Sequence, residues 1–328
     1  MILKNYFKTN GKVMGWSLLI LVFFWIVMLI VLPQLYMFNL SFHPHLPPPE
    51  MGGPKDHLTL ENYRYLLFAA EKSPNGRSIY DLWTVIKYLL FFGDELPAGY
   101  NFTDLAVFGR TLVAAACVTI LDLLICYPIA YYLGQTKGGG FVRILVLLLI
   151  IPYWINEILR AFAFKIIFGD SGVLNEFLFF FNIIDSPIDF IRMNVALYAG
   201  LGYAYILLMI FPMYNVIESL DRNQIEAARD MGAPWWMIHK RIVIPYAKPG
   251  IASGCTMVFM LSAGALAAPQ ILGGPSSLWF TQLVYQWFNT GGNWPQASAY
   301  AIVLLLACLF IVLSVMKLFK VNMGDIGK

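Results

Sequence analysis

Six long, uninterrupted apolar stretches constrain the fold of this chain more than any other feature. They cover approximately residues 14–40, 106–134, 143–168, 193–217, 248–272 and 296–319. Each is long enough to cross about 30 Å of hydrocarbon as an α-helix, which pairs its own backbone amides and carbonyls. The runs are continuous rather than alternating, which disfavours a β-barrel. With 59% hydrophobic and 12% charged residues, a soluble globular domain is excluded as well. We therefore predict an all-α polytopic membrane protein with about six transmembrane helices.

These stretches divide the chain into five parts. They are an N-terminal arm over 1–13, a first transmembrane helix over 14–40, a loop over 41–105, a five-helix core over 106–320 and a tail over 321–328. A cleaved signal peptide is the alternative for the first stretch. Its apolar core would span only about 7–15 residues, so we expect a retained span instead. Short helices are predicted in the loop, around 59–70 and 78–92.

The distribution of charge predicts the orientation of the chain in the membrane. Basic residues dominate the arm, the loop between the second and third stretches, and the C-terminal end from Lys317 to Lys328, whereas acids outnumber bases in 41–105 and 169–192. Loops rich in Lys and Arg stay in the cytoplasm. Both termini and the loop over 218–247 are therefore expected on the cytoplasmic side of the membrane.

The loop over 218–247 is a polar island that predicts a short, well-defined helix. Asn223 is a candidate N-cap, and Glu226, three residues later, is placed to reach back to the free amide. Ala227 and Ala228 are strong helix formers whose small side chains let another protein approach. Gly232 is suited to the left-handed conformation that ends a helix.

A second helix is predicted directly after this turn. Pro234 suits its first turn, and Trp235 and Trp236 would form an apolar docking face. Pro245 and Pro249 are expected to mark a bend into the fifth span. An ordinary amphipathic connector at the membrane surface is the alternative interpretation of this loop.

The loop resembles the EAA loop of ABC-importer permeases in its spacing. Glu226-Ala227-Ala228 is followed after three residues by Gly232 and after nine more by Ile242, with Pro245 three residues on. Other segments are similar to the spermidine/putrescine permease family over roughly residues 105–320. They are Ile151-Pro152-Tyr153-Trp154-Ile155-Asn156, Gly172-Val173-Leu174-Asn175-Glu176, Glu218-Ser219-Leu220-Asp221 and Lys248-Pro249-Gly250-Ile251.

This resemblance implies a type I importer fold with a cytoplasmic coupling helix. It also implies four kinds of partner: a second homologous permease subunit, a cytoplasmic ATPase dimer that binds ATP and Mg²⁺, a periplasmic substrate-binding protein and membrane lipid. The residues that it assigns to ATPase coupling are Glu226, Ala227, Ala228, Gly232, Pro234, Ile242 and Pro245.

Catalysis, metal binding and nucleic-acid binding are not expected of the chain itself. No G-x4-G-K-[ST] pattern is present, so ATP hydrolysis must come from another chain and no cofactor is expected here. None of the four histidines falls in a predicted span, which disfavours an intramembrane enzyme. No Cys/His cluster indicates a metal site, and no basic face indicates nucleic-acid binding.

Four residues are candidates for contact with a cationic substrate. The passage of a polyamine requires carboxylates and aromatic faces within the membrane. Asp122 lies in the middle of the second stretch, and Glu157 shares a helical face with Tyr153 and Trp154 in the third. The alternatives are that Glu157 is neutralised by Arg160 and that Asp122 forms a hydrogen bond between packed helices.

Two other functions remain open at this point. In one alternative, the chain transports an amino acid, an opine or a metal chelate, because the delivery protein largely sets the substrate specificity of such a system. In the other, the chain is a membrane receptor or scaffold that uses the loop for binding without transport.

Overall fold

The computed structural model describes residues 12–50, 52–67, 102–136, 140–274 and 277–319. Within these ranges the chain forms helices joined by turns and loops, without a β-strand. Most of the N-terminal arm over 1–13, the helix predicted around 78–92 and the tail over 321–328 lie outside the described residues.

The helices are numbered here in chain order. The α-helices are α1 (Lys12–Ile26), α2 (Leu32–Leu40), α3 (Glu61–Leu67), α4 (Phe102–Gln135), α5 (Gly140–Ile150), α6 (Glu157–Ile167), α7 (Val173–Phe180), α8 (Val195–Glu218), α9 (Arg222–Asp230), α10 (Trp235–Ile238), α11 (Ile244–Ala263), α12 (Ala267–Leu272), α13 (Phe280–Asn289) and α14 (Trp294–Phe319). Shorter helical turns are the π-helical segments Val27–Val31 and His239–Val243 and the 3-10 segments Pro48–Glu50 and Ile151–Trp154.

Five helical segments among the described residues are long and apolar enough to cross a membrane. They are Met14–Leu40, Thr103–Gln135, Val195–Glu218, Trp235–Ala263 and Trp294–Lys317. Four of them coincide with predicted stretches, which confirms the polytopic helical fold. In the first, none of the residues of its most apolar 18-residue window is buried.

The prediction of one continuous helix over 143–168 is wrong. Helix α5 ends at Ile150, a 3-10 turn follows, and Asn156 begins α6 by accepting a hydrogen bond on its side-chain oxygen from the amide of Ile158 (2.9 Å). The reason is local, because Pro152 lacks an amide hydrogen and disfavours helical geometry in Ile151 before it. Irregular backbone at membrane depth is tolerated only where protein covers it or a water-filled cavity lies beside it.

The predicted start of the fifth stretch at residue 248 is also wrong. The chain is helical without interruption from Trp235 to Ala263, so the fifth span begins earlier than the sequence suggests. A π-turn over His239–Val243 precedes Pro245, with the amide of Ile244 bonded to the carbonyl of His239. The π-turn shifts the backbone hydrogen bonds just before Pro245, which has no amide hydrogen to donate. This shift accommodates the proline within the helix.

The described residues fall into two compact units, and the first contains α1–α3 and residues 284–303. Within it, Asn62 on α3 donates to the carbonyls of Ser41 and His43 (both 2.8 Å). Gln296 at the start of α14 donates to the carbonyl of Asn62 (2.9 Å). The helix predicted around 59–70 is therefore present over 61–67 and is fastened to the end of α2.

One histidine of the loop over 41–105, His43, has a carboxylate partner in the first unit. His43 Nδ1 lies 2.5 Å from a carboxylate oxygen of Asp56, and the amide of Gly52 donates to the other oxygen (2.8 Å). The hydrogen bond from His43 lowers the pKa of Asp56 below its ordinary value. The carboxylate of Asp56 thus links two other positions of the loop, His43 and Gly52.

The second unit is built around α8, which packs against α4 and α11. A Cβ added at Gly250 would lie 2.5 Å from the carbonyl oxygen of Pro212, and one added at Gly254 would lie 3.1 Å from that of Met209. Glycines four residues apart let two membrane helices approach until their backbones touch. The α8–α11 contact therefore depends on the absence of side chains at these positions.

The α4–α8 contact buries a carboxyl group. The side chain of Asp122 is 3% exposed, and a Cβ added at Gly202 would lie 2.8 Å from its oxygen Oδ1. Its other oxygen is buried without a hydrogen-bond partner among the described residues. One turn further on, the thiol of Cys126 reaches the carbonyl of Ile206 (3.7 Å). Asp122 thus occupies space that only a glycine opposite it leaves free.

This packing predicts that Gly202→Ala lowers the amount of folded permease recovered from the membrane. The added methyl group meets the Asp122 carboxyl, and overpacking of this kind destabilises by about 1–3 kcal/mol. The measurement is the detergent-extracted, monodisperse yield and its thermal midpoint. Combining Gly202→Ala with Asp122→Ala exchanges volume across the contact and should restore much of the loss. Equal defects in the single and double variants would contradict the proposed contact.

Candidate functional site

The polar loop forms helix α9, whose first turn is fixed by Asp221. The Asp221 side chain accepts a hydrogen bond from the amide of Asn223 (3.0 Å), and Asp221 is the N-cap. The prediction of Asn223 as the cap is wrong, because that residue lies inside the first turn. Leu220 before the cap and Ile225 five residues later are both buried in one apolar cluster, which is the contact known as a hydrophobic staple. That flanking pair is the sequence signal that identifies Asp221.

The other end of α9 is closed at Gly232. Its φ is +77°, its amide donates to the carbonyl of Arg229 (2.8 Å), and the amide of Ala233 donates to the carbonyl of Ala228 (3.0 Å). These two bonds are a Schellman motif, which satisfies carbonyls that a helix end would leave free. The predicted left-handed glycine is therefore confirmed.

One face of α9 is buried within the chain and the other is exposed. Ile225 and Ala228 are 4% and 5% exposed, whereas Glu226 and Ala227 are exposed. Ala228 therefore lets α9 approach its own chain, and within the three-residue motif only Glu226 and Ala227 present an outer surface. The buried face belongs to a cluster of Leu220, Ile225, Ala228, Ile238 and Val243, against which Tyr127, Tyr131, Ala233 and Ile242 pack.

Large apolar side chains continue the exposed surface beyond α9. Met231, Trp235 and Trp236 are 81%, 65% and 58% exposed. Pro234 is the N-cap residue of α10, one position earlier than predicted, and Pro245 is exposed near the start of α11. Beside this surface lies a cavity of about 110 Å³, lined by Tyr131, Gln135, Arg222, Ile225, Glu226 and Arg229.

His239 was not anticipated as part of this region. It is 5% exposed and lies in the helix Trp235–Ala263, which begins before the predicted stretch over 248–272. Its Nδ1 is 2.7 Å from the hydroxyl oxygen of Tyr127. The ring centres of Tyr131 and Trp235 are 4.4 Å and 4.1 Å from that of His239. Tyr127 and His239 are 112 residues apart, so no local pattern could pair them.

Three predicted substrate contacts lie at the break in the third apolar stretch. Tyr153 and Trp154 lie in the 3-10 turn and are 47% and 85% exposed, and Glu157 is the exposed first residue of α6. No ion pair joins Glu157 to Arg160 within the described residues. The guanidinium carbon of Arg160 lies instead 5.9 Å from the ring centre of Tyr203. Asp122, the fourth predicted contact, is buried between α4 and α8.

Most of the second half of the chain matches a known protein family. Residues 127–320 match the family described as "Binding-protein-dependent transport system inner membrane component". The chain belongs to this family. It is accordingly a multi-pass inner-membrane permease subunit of an ABC importer and not an enzyme, since ATP hydrolysis is carried out by a separate subunit in such systems.

Relatives and a solved structure agree with this membership over most of the chain. The spermidine/putrescine permease PotB of Salmonella typhimurium is 30% identical over 307 residues, which are 92% of this chain and 94% of that protein. PotB of Escherichia coli is 31% identical over 281 residues, or 85% and 88% of the two chains. A bacterial ABC transporter that imports the acidic polysaccharide alginate has the same fold, with a TM-score of 0.66, 15% identity and coverage of 98% and 99%.

The geometry of α9 predicts the effect of Gly232→Ala. No atom would lie within 4 Å of the new Cβ, so the change acts only through the positive φ, at about 1–2 kcal/mol. Amide hydrogen exchange over residues 222–233 should therefore become roughly five- to thirtyfold faster. Gly292→Ala is the matched control, since Gly292 has a φ of +58° and equally open surroundings in another part of the chain. Unchanged exchange in Gly232→Ala would contradict the role of this glycine as the helix stop.

Proposed function

We propose that this chain is the permease subunit of an ATP-driven polyamine importer, with spermidine or putrescine as substrate. A periplasmic binding protein delivers the substrate, and a second homologous permease subunit completes the path. A cytoplasmic ATPase dimer, which alone binds ATP and Mg²⁺, docks at α9, so that α9 and both termini lie in the cytoplasm. The permeases named for spermidine and putrescine, at 30–31% identity over most of both chains, support the substrate.

The construction of α9 is the observation that carries the coupling role. The helix is fixed at both ends by Asp221 and Gly232, and its inner face is buried against α4, α10 and the turn that follows α10. A short helix held in this way moves as a rigid body when its outer face is displaced, which an unanchored loop cannot do. The outer face offers the carboxylate of Glu226 and the apolar surface of Met231 and Trp236 to the ATPase.

The broken third stretch supports a path for a cationic substrate. Tyr153, Trp154 and Glu157 place two aromatic faces and a carboxylate where the membrane helix is interrupted. Interrupted helices of this kind mark substrate sites in other transporters. An ammonium group leaving water needs the opposite charge or a π-face, and this segment offers both. The burial of Asp122 against Gly202 favours packing between helices as its role.

The docking role predicts that Glu226→Lys uncouples the importer. Reversal of an exposed interface charge should reduce polyamine uptake at least about tenfold, equivalent to roughly 1.4 kcal/mol of docking free energy. Membrane insertion and the yield of the permease should stay unchanged, because Glu226 is exposed. The measurement is uptake in cells together with co-purification of the ATPase. Glu176→Lys, the same reversal on the exposed face of α7, is the control. Normal uptake by Glu226→Lys would contradict docking at α9.

The substrate path predicts a different effect for Glu157→Gln. Loss of the carboxylate should raise the KM for spermidine about fivefold or more and leave the maximal rate nearly unchanged, since ground-state binding of a cation is weakened. The measurement is uptake of labelled spermidine, with unlabelled putrescine and spermidine as competitors and Glu176→Gln as the control. An unchanged KM would remove Glu157 from the path. Failure of both polyamines to compete would reassign the permease to another small solute.

A further inference from the structure

We infer that the hydrogen bond between Tyr127 and His239 is the latch through which movement of α9 reaches the second membrane-spanning helix, α4. The inference rests on the proposed docking of the ATPase at α9. It assigns two positioning residues, which touch neither substrate nor nucleotide. It also names the contact that converts a displacement at the cytoplasmic surface into a displacement of a span.

The position of the latch connects three elements. Tyr127 and Tyr131 on α4 pack against the same apolar cluster that holds the buried face of α9. His239 follows α10 directly, and Ile238 beside it belongs to that cluster as well. Helices α4 and α9 and the helix that contains His239 therefore meet within one set of contacts. Among the described residues of this set, Tyr127 and His239 form a side-chain hydrogen bond that joins α4 to the helix Trp235–Ala263.

The hydrogen bond supplies what the apolar contacts do not. Apolar side chains attract one another without a preferred direction, so on their own they do not specify the relative orientation of two particular groups. A 2.7 Å hydrogen bond between a phenol hydroxyl and a ring nitrogen constrains both the distance and the relative orientation of the two side chains. The rings of Tyr131 and Trp235 enclose the imidazole, and exclusion of water strengthens the bond.

Two further features indicate that this contact changes during the transport cycle. His239 Nε2 is buried without a hydrogen-bond partner among the described residues. An unpaired buried nitrogen costs about 1–3 kcal/mol, and such costs are kept mainly where function requires them. His239 is also the first residue of the π-turn that ends at Val243. A π-turn holds one extra residue within the helix and often occurs at functional positions.

The experiment uses the whole importer, with both permeases, the ATPase and the loaded binding protein reconstituted in proteoliposomes. Spermidine uptake and ATP hydrolysis are measured on the same preparation, normalised to assembled complex, so that the readout is uptake per ATP. Tyr127→Phe removes only the hydroxyl and should lower uptake per ATP about threefold to tenfold, the range for loss of one buried hydrogen bond. ATP hydrolysis should fall less than uptake, because docking at α9 is intact.

Four variants complete the design. His239→Asn keeps an amide group near the position of Nδ1 and should retain more uptake per ATP than His239→Leu, which keeps no polar atom. Tyr127→Phe combined with His239→Leu should be no worse than His239→Leu alone, since both remove the same bond. Tyr132→Phe, on the exposed side of α4, makes the same chemical change and should behave like the unmodified protein.

The outcomes separate the latch from the docking role. Normal uptake per ATP in Tyr127→Phe and His239→Leu would overturn the latch, and the docking role would stand if Glu226→Lys still abolished uptake. A lower yield of complex with unchanged uptake per ATP would also overturn it, because it would show that the bond only stabilises the fold. Normal uptake in Glu226→Lys would overturn docking at α9, and with it the latch as the route from α9 to α4, even if the Tyr127 and His239 variants were defective.

Discussion

The need to pair every backbone amide and carbonyl within hydrocarbon is the constraint on which the rest of this structure depends. It makes long helices the rule for the membrane-spanning segments and makes each departure from regular helix informative. Two described spans depart from regular α-helix at π-turns, over 27–31 and 239–243, and the third apolar stretch is broken over 151–156. The break presents the candidate substrate contacts, and the π-turn over 239–243 begins at the residue of the proposed latch.

Features set by neighbouring residues were predictable from the sequence. The left-handed conformation of Gly232 follows from the absence of a Cβ and from its position after a helix-forming run. The four confirmed spans follow from hydropathy alone. The errors have local physical causes too, because Pro152 with Asn156 could have indicated the break in the third stretch. Leu220 and Ile225 could likewise have identified Asp221 as the cap.

Features set by distant residues were not predictable. The fit of Asp122 against Gly202 and the pairing of Tyr127 with His239 depend on which helices pack and in which register. Nothing near Asp122 in sequence separates a buried packing carboxyl from one that faces a substrate. By sequence, His239 falls in the polar loop over 218–247, because the predicted fifth stretch begins at residue 248. The helix in the structure begins earlier, at Trp235, and runs through Pro245.

Two helix contacts in the second unit differ in how strongly they resist displacement: the one between α8 and α11 and the one around His239. At Gly250 and Gly254 the backbones of α8 and α11 are in direct contact, so any shift between them is resisted by steric repulsion at many atoms. Around His239 the contact between α4 and the fifth span is made by side chains with a single directional bond. If the ATPase docks at α9 as proposed, a force on α9 would act first on this contact, because rings can tilt and a single hydrogen bond contributes only about 1 kcal/mol. The α8–α11 pair would then follow as one body, and the displacement would be carried into the membrane.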